Sequence, residues 1–103
     1  MELLNKIIMD LKNNPRDLKT QPLNREGIWF YAYVHSNNIY VDTARSNTPS
    51  SKMRKPQKLN LNEFEVIYPI YLRRISGEKV SCEALEATRN QVYWFSLFKN
   101  CLE

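Results

Sequence analysis

The sequence predicts a small single α+β domain of order α-β-β-α-α, with helices packed on a β-hairpin. Three observations lead there: an apolar stretch of helical period at the N-terminus, two aromatic and β-branched runs parted by Ser36-Asn37-Asn38, and further helical-period stretches filling the C-terminal half. A chain of 103 residues has room for one hydrophobic core, so residues 1–103 are read as one domain. Apolar residues at 43% and charged residues at 25% are globular values, and two Gly with five Pro exclude a low-complexity chain.

Leu3, Leu4, Ile7, Ile8 and Leu11 repeat at i, i+3/i+4, and Asn13-Asn14-Pro15 stops the pattern, because a residue before Pro avoids the α region; a helix over 2–13 follows. From Pro15 to Gly27 the chain is polar without a clear period and reads as a surface connector carrying Arg16, Lys19 and Arg25. Ile28 to His35 and Ile39 to Thr43 then read as strands, with Asn37-Asn38 as the central residues of a type I′ turn, since Asn tolerates positive φ. That register sets Ser36 opposite Ile39, His35 opposite Tyr40, Val34 opposite Val41 and Tyr33 opposite Asp42. One face carries Ile28, Phe30, Ala32, Val34, Ile39 and Val41 and is the core face; the other carries Trp29, Tyr31, Tyr33, His35, Tyr40 and Asp42.

Residues 44–58 form a long polar loop, of the kind that is usually functional or disordered. A helix over 60–75 follows, marked by Asn60 and Glu63 at capping-box spacing and by the staple pair Leu59 and Phe64; Pro69 predicts a kink and Gly77 a left-handed stop. A last helix runs from Ser81 to about Leu102. Its broad apolar face holds Ala84, Ala87, Trp94, Phe95, Phe98 and Leu102, and Tyr93 and Leu97 lie nearly opposite. Thr88 and Gln91 repeat the capping-box spacing inside this segment, which raises a helix-turn-helix alternative with Arg89, Asn90 and Gln91 at the reading end of the second helix. The apolar face runs through unbroken, and the continuous helix is preferred.

The longest apolar stretches are far shorter than the roughly 20 residues of a membrane span, and the polar N-terminus lacks the apolar centre of a signal peptide. Cys82 and Cys101, read on one helix, are roughly 28 Å apart and cannot bridge. Two unpaired cysteines fit a reducing compartment, and a cytoplasmic location is expected. A single His and no C-x-x-C spacing exclude an ordinary zinc site, and nothing in the chain requires a cofactor.

The net charge of +4 is unevenly placed. No acid lies between Asp42 and Glu63, whereas Arg45, Lys52, Arg54, Lys55 and Lys58 fall there; the rest of the chain holds ten basic and eleven acidic residues. Cations free of acids neutralise phosphates and release counterions, and an aromatic strand face stacks unpaired bases. These two features together predict a non-catalytic nucleic-acid-binding domain, DNA or RNA, in which Arg45, Lys52, Arg54, Lys55 and Lys58 meet phosphates and Trp29, Tyr31, Tyr33 and Tyr40 meet bases, with Arg89 as an extra contact. Each feature also has an ordinary explanation: a solvated loop that keeps the protein soluble, and an aromatic face buried under helices. The alternative function is a protein-binding adaptor or inhibitor that uses the basic loop and the Tyr93/Leu97 stripe, with the same stripe making the chain a homodimer candidate. A catalytic reading would rest on His35, Tyr40 and Asp42 sharing one strand face, as an acid–base centre acting on RNA.

Overall fold

The computed structural model describes residues 2–22 and 26–103. Arg25 lies outside them. The order along the chain is α1 (Glu2–Asn13), β1 (Arg16–Lys19), β2 (Trp29–His35), β3 (Asn38–Thr43), β4 (Gln57–Lys58), a 3₁₀ turn (Leu61–Glu63), α2 (Phe64–Ile75), α3 (Ser81–Ala87) and α4 (Gln91–Leu102). The α+β class holds. The hairpin is the centre of a four-stranded antiparallel sheet of order β1-β2-β3-β4.

α1 buries Leu4, Ile7, Ile8 and Leu11, while Leu3 stays exposed. β1 lies within the segment read as a connector. It pairs with β2 from Arg16 opposite Ala32 to Lys19 opposite Trp29, and only Leu18 of its four residues is buried, so its apolar signal was a single side chain. The ladder continues past the strand: the Thr20 amide donates to the Ile28 carbonyl, and the Ile28 amide donates to Thr20 Oγ1 at 3.0 Å. Gly27 is required beside this crossing, because a Cβ there would stand 2.1 Å from the Thr20 carbonyl oxygen. Gly27→Ala should therefore destabilise by about 1–3 kcal/mol, each kcal/mol lowering Tm by roughly 4–8 °C in a domain of this size. A thermal melt unchanged from wild type would show that the two segments separate without cost.

The hairpin turns one residue earlier than expected. Ser36 and Asn37 hold the positive φ values, 51° and 62°, and His35 pairs with Asn38. The observed register sets Val34 against Ile39, Ala32 against Val41 and Tyr33 against Tyr40, which matches aliphatic with aliphatic and aromatic with aromatic. The expected register would have wasted Ile39 on Ser36. A shift of one residue on each strand keeps every side chain on its face, so the two faces are as predicted. Phe30, Ala32, Ile39 and Val41 are fully buried; Ile28 precedes the strand and is exposed. β4 has no apolar residue and pairs Lys58 with Tyr40 and Gln57 with Val41.

The predicted start of the next helix is a 3₁₀ turn, with Asn60 Oδ1 accepting from the Asn62 amide at 3.0 Å. Glu63 does not close a capping box; it accepts instead from Trp94 Nε1 at 3.3 Å. α2 runs through Pro69 and ends at Gly77, φ 96°, where the Gly77 amide donates to the Arg74 carbonyl and the Glu78 amide to the Arg73 carbonyl, the paired bonds of a Schellman stop.

The continuous helix over 81–102 is not what forms. Thr88 is extended, φ −166° and ψ 148°, and ends α3; its Oγ1 accepts from the Asn90 amide at 2.9 Å, and Asn90, the N-cap of α4, has no side-chain cap bond. The break places the two cysteines on separate helices, both free. It also turns α4 so that it is buried almost all round. Trp94, Phe95, Ser96, Leu97, Phe98 and Cys101 are all buried, with α1 and β1 on one side and α2 and α3 on the other. Leu97 is 0% exposed, and Tyr93 packs edge-on against Phe30 at 4.9 Å. Leu97 therefore lies in the core and offers no surface to a second copy or an adaptor target, while Tyr93 is half-buried against the sheet.

Candidate nucleic-acid interface

Alternation along the strands decides which side chains stand on the face away from the helices. From the pairing these are Asp17 and Lys19 of β1, Trp29, Tyr31, Tyr33 and His35 of β2, Asn38, Tyr40 and Asp42 of β3, and Lys58 of β4. Trp29, Tyr31, Tyr33 and Tyr40 remain outside the buried core, half-exposed, so the helices do not close this side. Their ring and cation neighbours are one another, His35, Lys19 and Arg45. Tyr31 and Tyr33 have centroids 5.7 Å apart, Tyr33 and Tyr40 are stacked at 5.3 Å and 11°, and His35 stands 6.3 Å from Tyr40. Burial together with the nearby Asp42 carboxylate raises the Tyr33 pKa above its ordinary value.

Two cations sit on these rings. The Arg45 guanidinium lies 4.2 Å from the Tyr31 centroid, and Lys19 Nζ lies 6.0 Å from that of Trp29 while also bonding Glu26. Lys58 stands opposite Tyr40 at the far edge.

The loop after β3 is fastened to the sheet at three places. Asp17 accepts the backbone amides of Arg45, Ser46 and Asn47 at 2.8, 2.8 and 3.1 Å, and Asn47 Nδ2 at 3.0 Å. Burial alone would raise the Asp17 carboxyl, but these four donors outweigh it and hold its pKa below the ordinary value. Next, the Trp29 amide donates to the Pro49 carbonyl and the Ser51 amide to the Trp29 carbonyl, so residues 49–51 continue the sheet where β3 has ended. Finally, the Met53 amide donates to Thr43 Oγ1 at 2.9 Å. Lys52, Arg54 and Lys55 are exposed beyond these anchors and form no ion pair among the described residues.

The structure thus joins Arg45 and Lys58 to the four aromatic residues and leaves Lys52, Arg54 and Lys55 on the adjoining loop. Arg89 is not brought to this surface: its neighbour Asn90 accepts from Gln57 Nε2 at 2.9 Å, and Gln57 faces the helix side of the sheet. Lys19 and Asp17 were missed as site residues because their strand was missed; the only signal was the lone apolar Leu18 between them.

His35, Tyr40 and Asp42 make no catalytic centre. His35 is level with Asn38, and Asp42 lies four residues further along β3, roughly 13 Å away. Asp42 Oδ1 accepts from the Thr43 amide instead. Among the described residues no cluster of His, Cys, Asp and Glu is placed to hold a metal ion, and no helix is long and apolar enough to cross a membrane. No family model, curated protein or solved structure matches the chain.

Proposed function

We propose that the chain is a non-catalytic domain that binds single-stranded nucleic acid across the aromatic face of its sheet, in the reducing environment of the cytoplasm. The carrying observation is the half-exposed row Trp29, Tyr31, Tyr33 and Tyr40, bordered by Lys19, Arg45 and Lys58. Aromatic rings on an open sheet offer stacking surfaces to bases, while flanking cations follow the phosphates; a duplex keeps its bases stacked inside and gains only the second term. Asp17 and Asp42 stand on this face, Asp17 enclosed by loop amides, and the exposed Glu26 pairs with Lys19 at its edge.

Fluorescence anisotropy with labelled RNA and DNA oligonucleotides tests this. With the five loop cations on phosphates, log K against log[salt] should fall with a slope of about −3.5 for a single strand. Replacing Lys52, Arg54 and Lys55 together by Ala should flatten it by about two units whatever the oligonucleotide sequence. Binding to neither RNA nor DNA at low salt would reject the reading, and equal affinity for duplex and single strand would reject the role of the rings.

A further inference from the structure

The rings of the sheet face are set by strand geometry at a spacing that a stacked run of bases does not match. Trp29, Tyr31 and Tyr33 are alternate residues of β2, so their Cα atoms follow one another at about 6.7 Å. The ring centroids lie 5.7 Å apart from Tyr31 to Tyr33 and 5.3 Å apart from Tyr33 to its cross-strand partner Tyr40. Successive bases of a stacked strand are about 3.4 Å apart. Bases held by neighbouring rings are therefore too far from each other to stay stacked, and each step bound is a base–base stack given up.

That loss depends on the base. A purine stacks on its neighbours with two fused rings and gives up more than a pyrimidine when parted from them. The return does not grow to match. Tyr31, Tyr33 and Tyr40 each offer one six-membered ring, which covers a pyrimidine and only part of a purine. Arg45, 4.2 Å from the Tyr31 centroid, adds a guanidinium plane of similar size to the row. Of the four aromatic residues Trp29 alone has fused rings; it stands at the end of the row, with Lys19 Nζ 6.0 Å from its centroid. We infer that this face selects strands of weakly self-stacking pyrimidines, uracil or thymine tracts, over adenine tracts, and that the cost of unstacking makes the selection. The inference rests on the single-strand reading of the same face.

Labelled oligouridylate and oligoadenylate of equal length, and the matching thymidine and deoxyadenosine oligomers, are titrated against the wild-type protein at one salt concentration. Each pyrimidine tract should bind about threefold or more tightly than the adenine tract of the same sugar, and the two pairs show which sugar is preferred. Warming below the protein's own Tm melts the stacking of the free adenine tracts, so the preference should narrow. Tyr33→Ala with Tyr40→Ala, measured at a salt concentration where both tracts still bind, should bring the two affinities together. Adenine tracts that bind as tightly as pyrimidine tracts would overturn the inference and leave single-strand binding standing, whereas no binding of any oligomer would remove both. A preference that does not change on warming, or that survives in full in the double variant, would assign it to base edges and also overturn the inference. Should the double variant fail to fold, the wild-type temperature series decides alone.

Discussion

Leu97→Glu should leave the chain unfolded at room temperature. The side chain is fully buried in the core, so the substitution removes a packed Leu, at about 2–5 kcal/mol, and adds a carboxylate without a partner, at several kcal/mol more. A domain of this size holds only about 5–15 kcal/mol in reserve. Far-ultraviolet circular dichroism should report loss of helix, independent of protein concentration. The matched control is Val66→Glu on the exposed side of α2, expected within about 0.5 kcal/mol of wild type. A folded Leu97→Glu protein would show that this side chain is not held in the core, and a dimeric wild type dissociated by the substitution would make the stripe an interface.

Tyr33→Ala with Tyr40→Ala should cost single-strand affinity about 10- to 100-fold while leaving the fold intact. Stacking is worth about 1–3 kcal/mol per base, and the two rings lie 5.3 Å apart, so they act as one surface and their losses should not add fully. Cross-strand aromatic pairs contribute only about 0.2–1 kcal/mol to stability. The double variant should therefore melt within several degrees of wild type. Affinity measured beside Tm separates the outcomes: unchanged binding with an unchanged melt would remove the rings from the interface, and a large drop in Tm would make them structural.

Much of this was legible in the residues, and the misses share a cause. Ile28 to Val41 alternates so strongly that both faces of the hairpin could be assigned before the turn was located, because a register error of one residue per strand does not exchange faces. Arg16–Lys19 and Gln57–Lys58 were invisible as strands. Their main contribution is backbone pairing to an edge already nucleated by the hairpin, and between them they bury only Leu18. The helix break at Thr88 falls where Thr88 and Gln91 have capping-box spacing, although that box does not form, and apolar periodicity outweighed the signal. The reason is that α4 is apolar on nearly every side, so no stripe marks where one helix axis gives way to another. The basic residues of the loop could be read from charge alone, but not their division between the ring face and its border. That division is set by Asp17, some thirty residues away along the chain.

Asp17 places an anion of the protein's own inside the three amides of residues 45–47, a concavity of the type that elsewhere receives phosphate. Under the proposed function an incoming strand would find that seat taken, and the loop would meet it with side chains only. The same occupancy orders the loop backbone before any encounter, and the entropy of arranging it is absorbed in folding instead of in association. On that proposal the partners would meet close to rigid bodies, with Arg45 already lying over Tyr31 before a base is present.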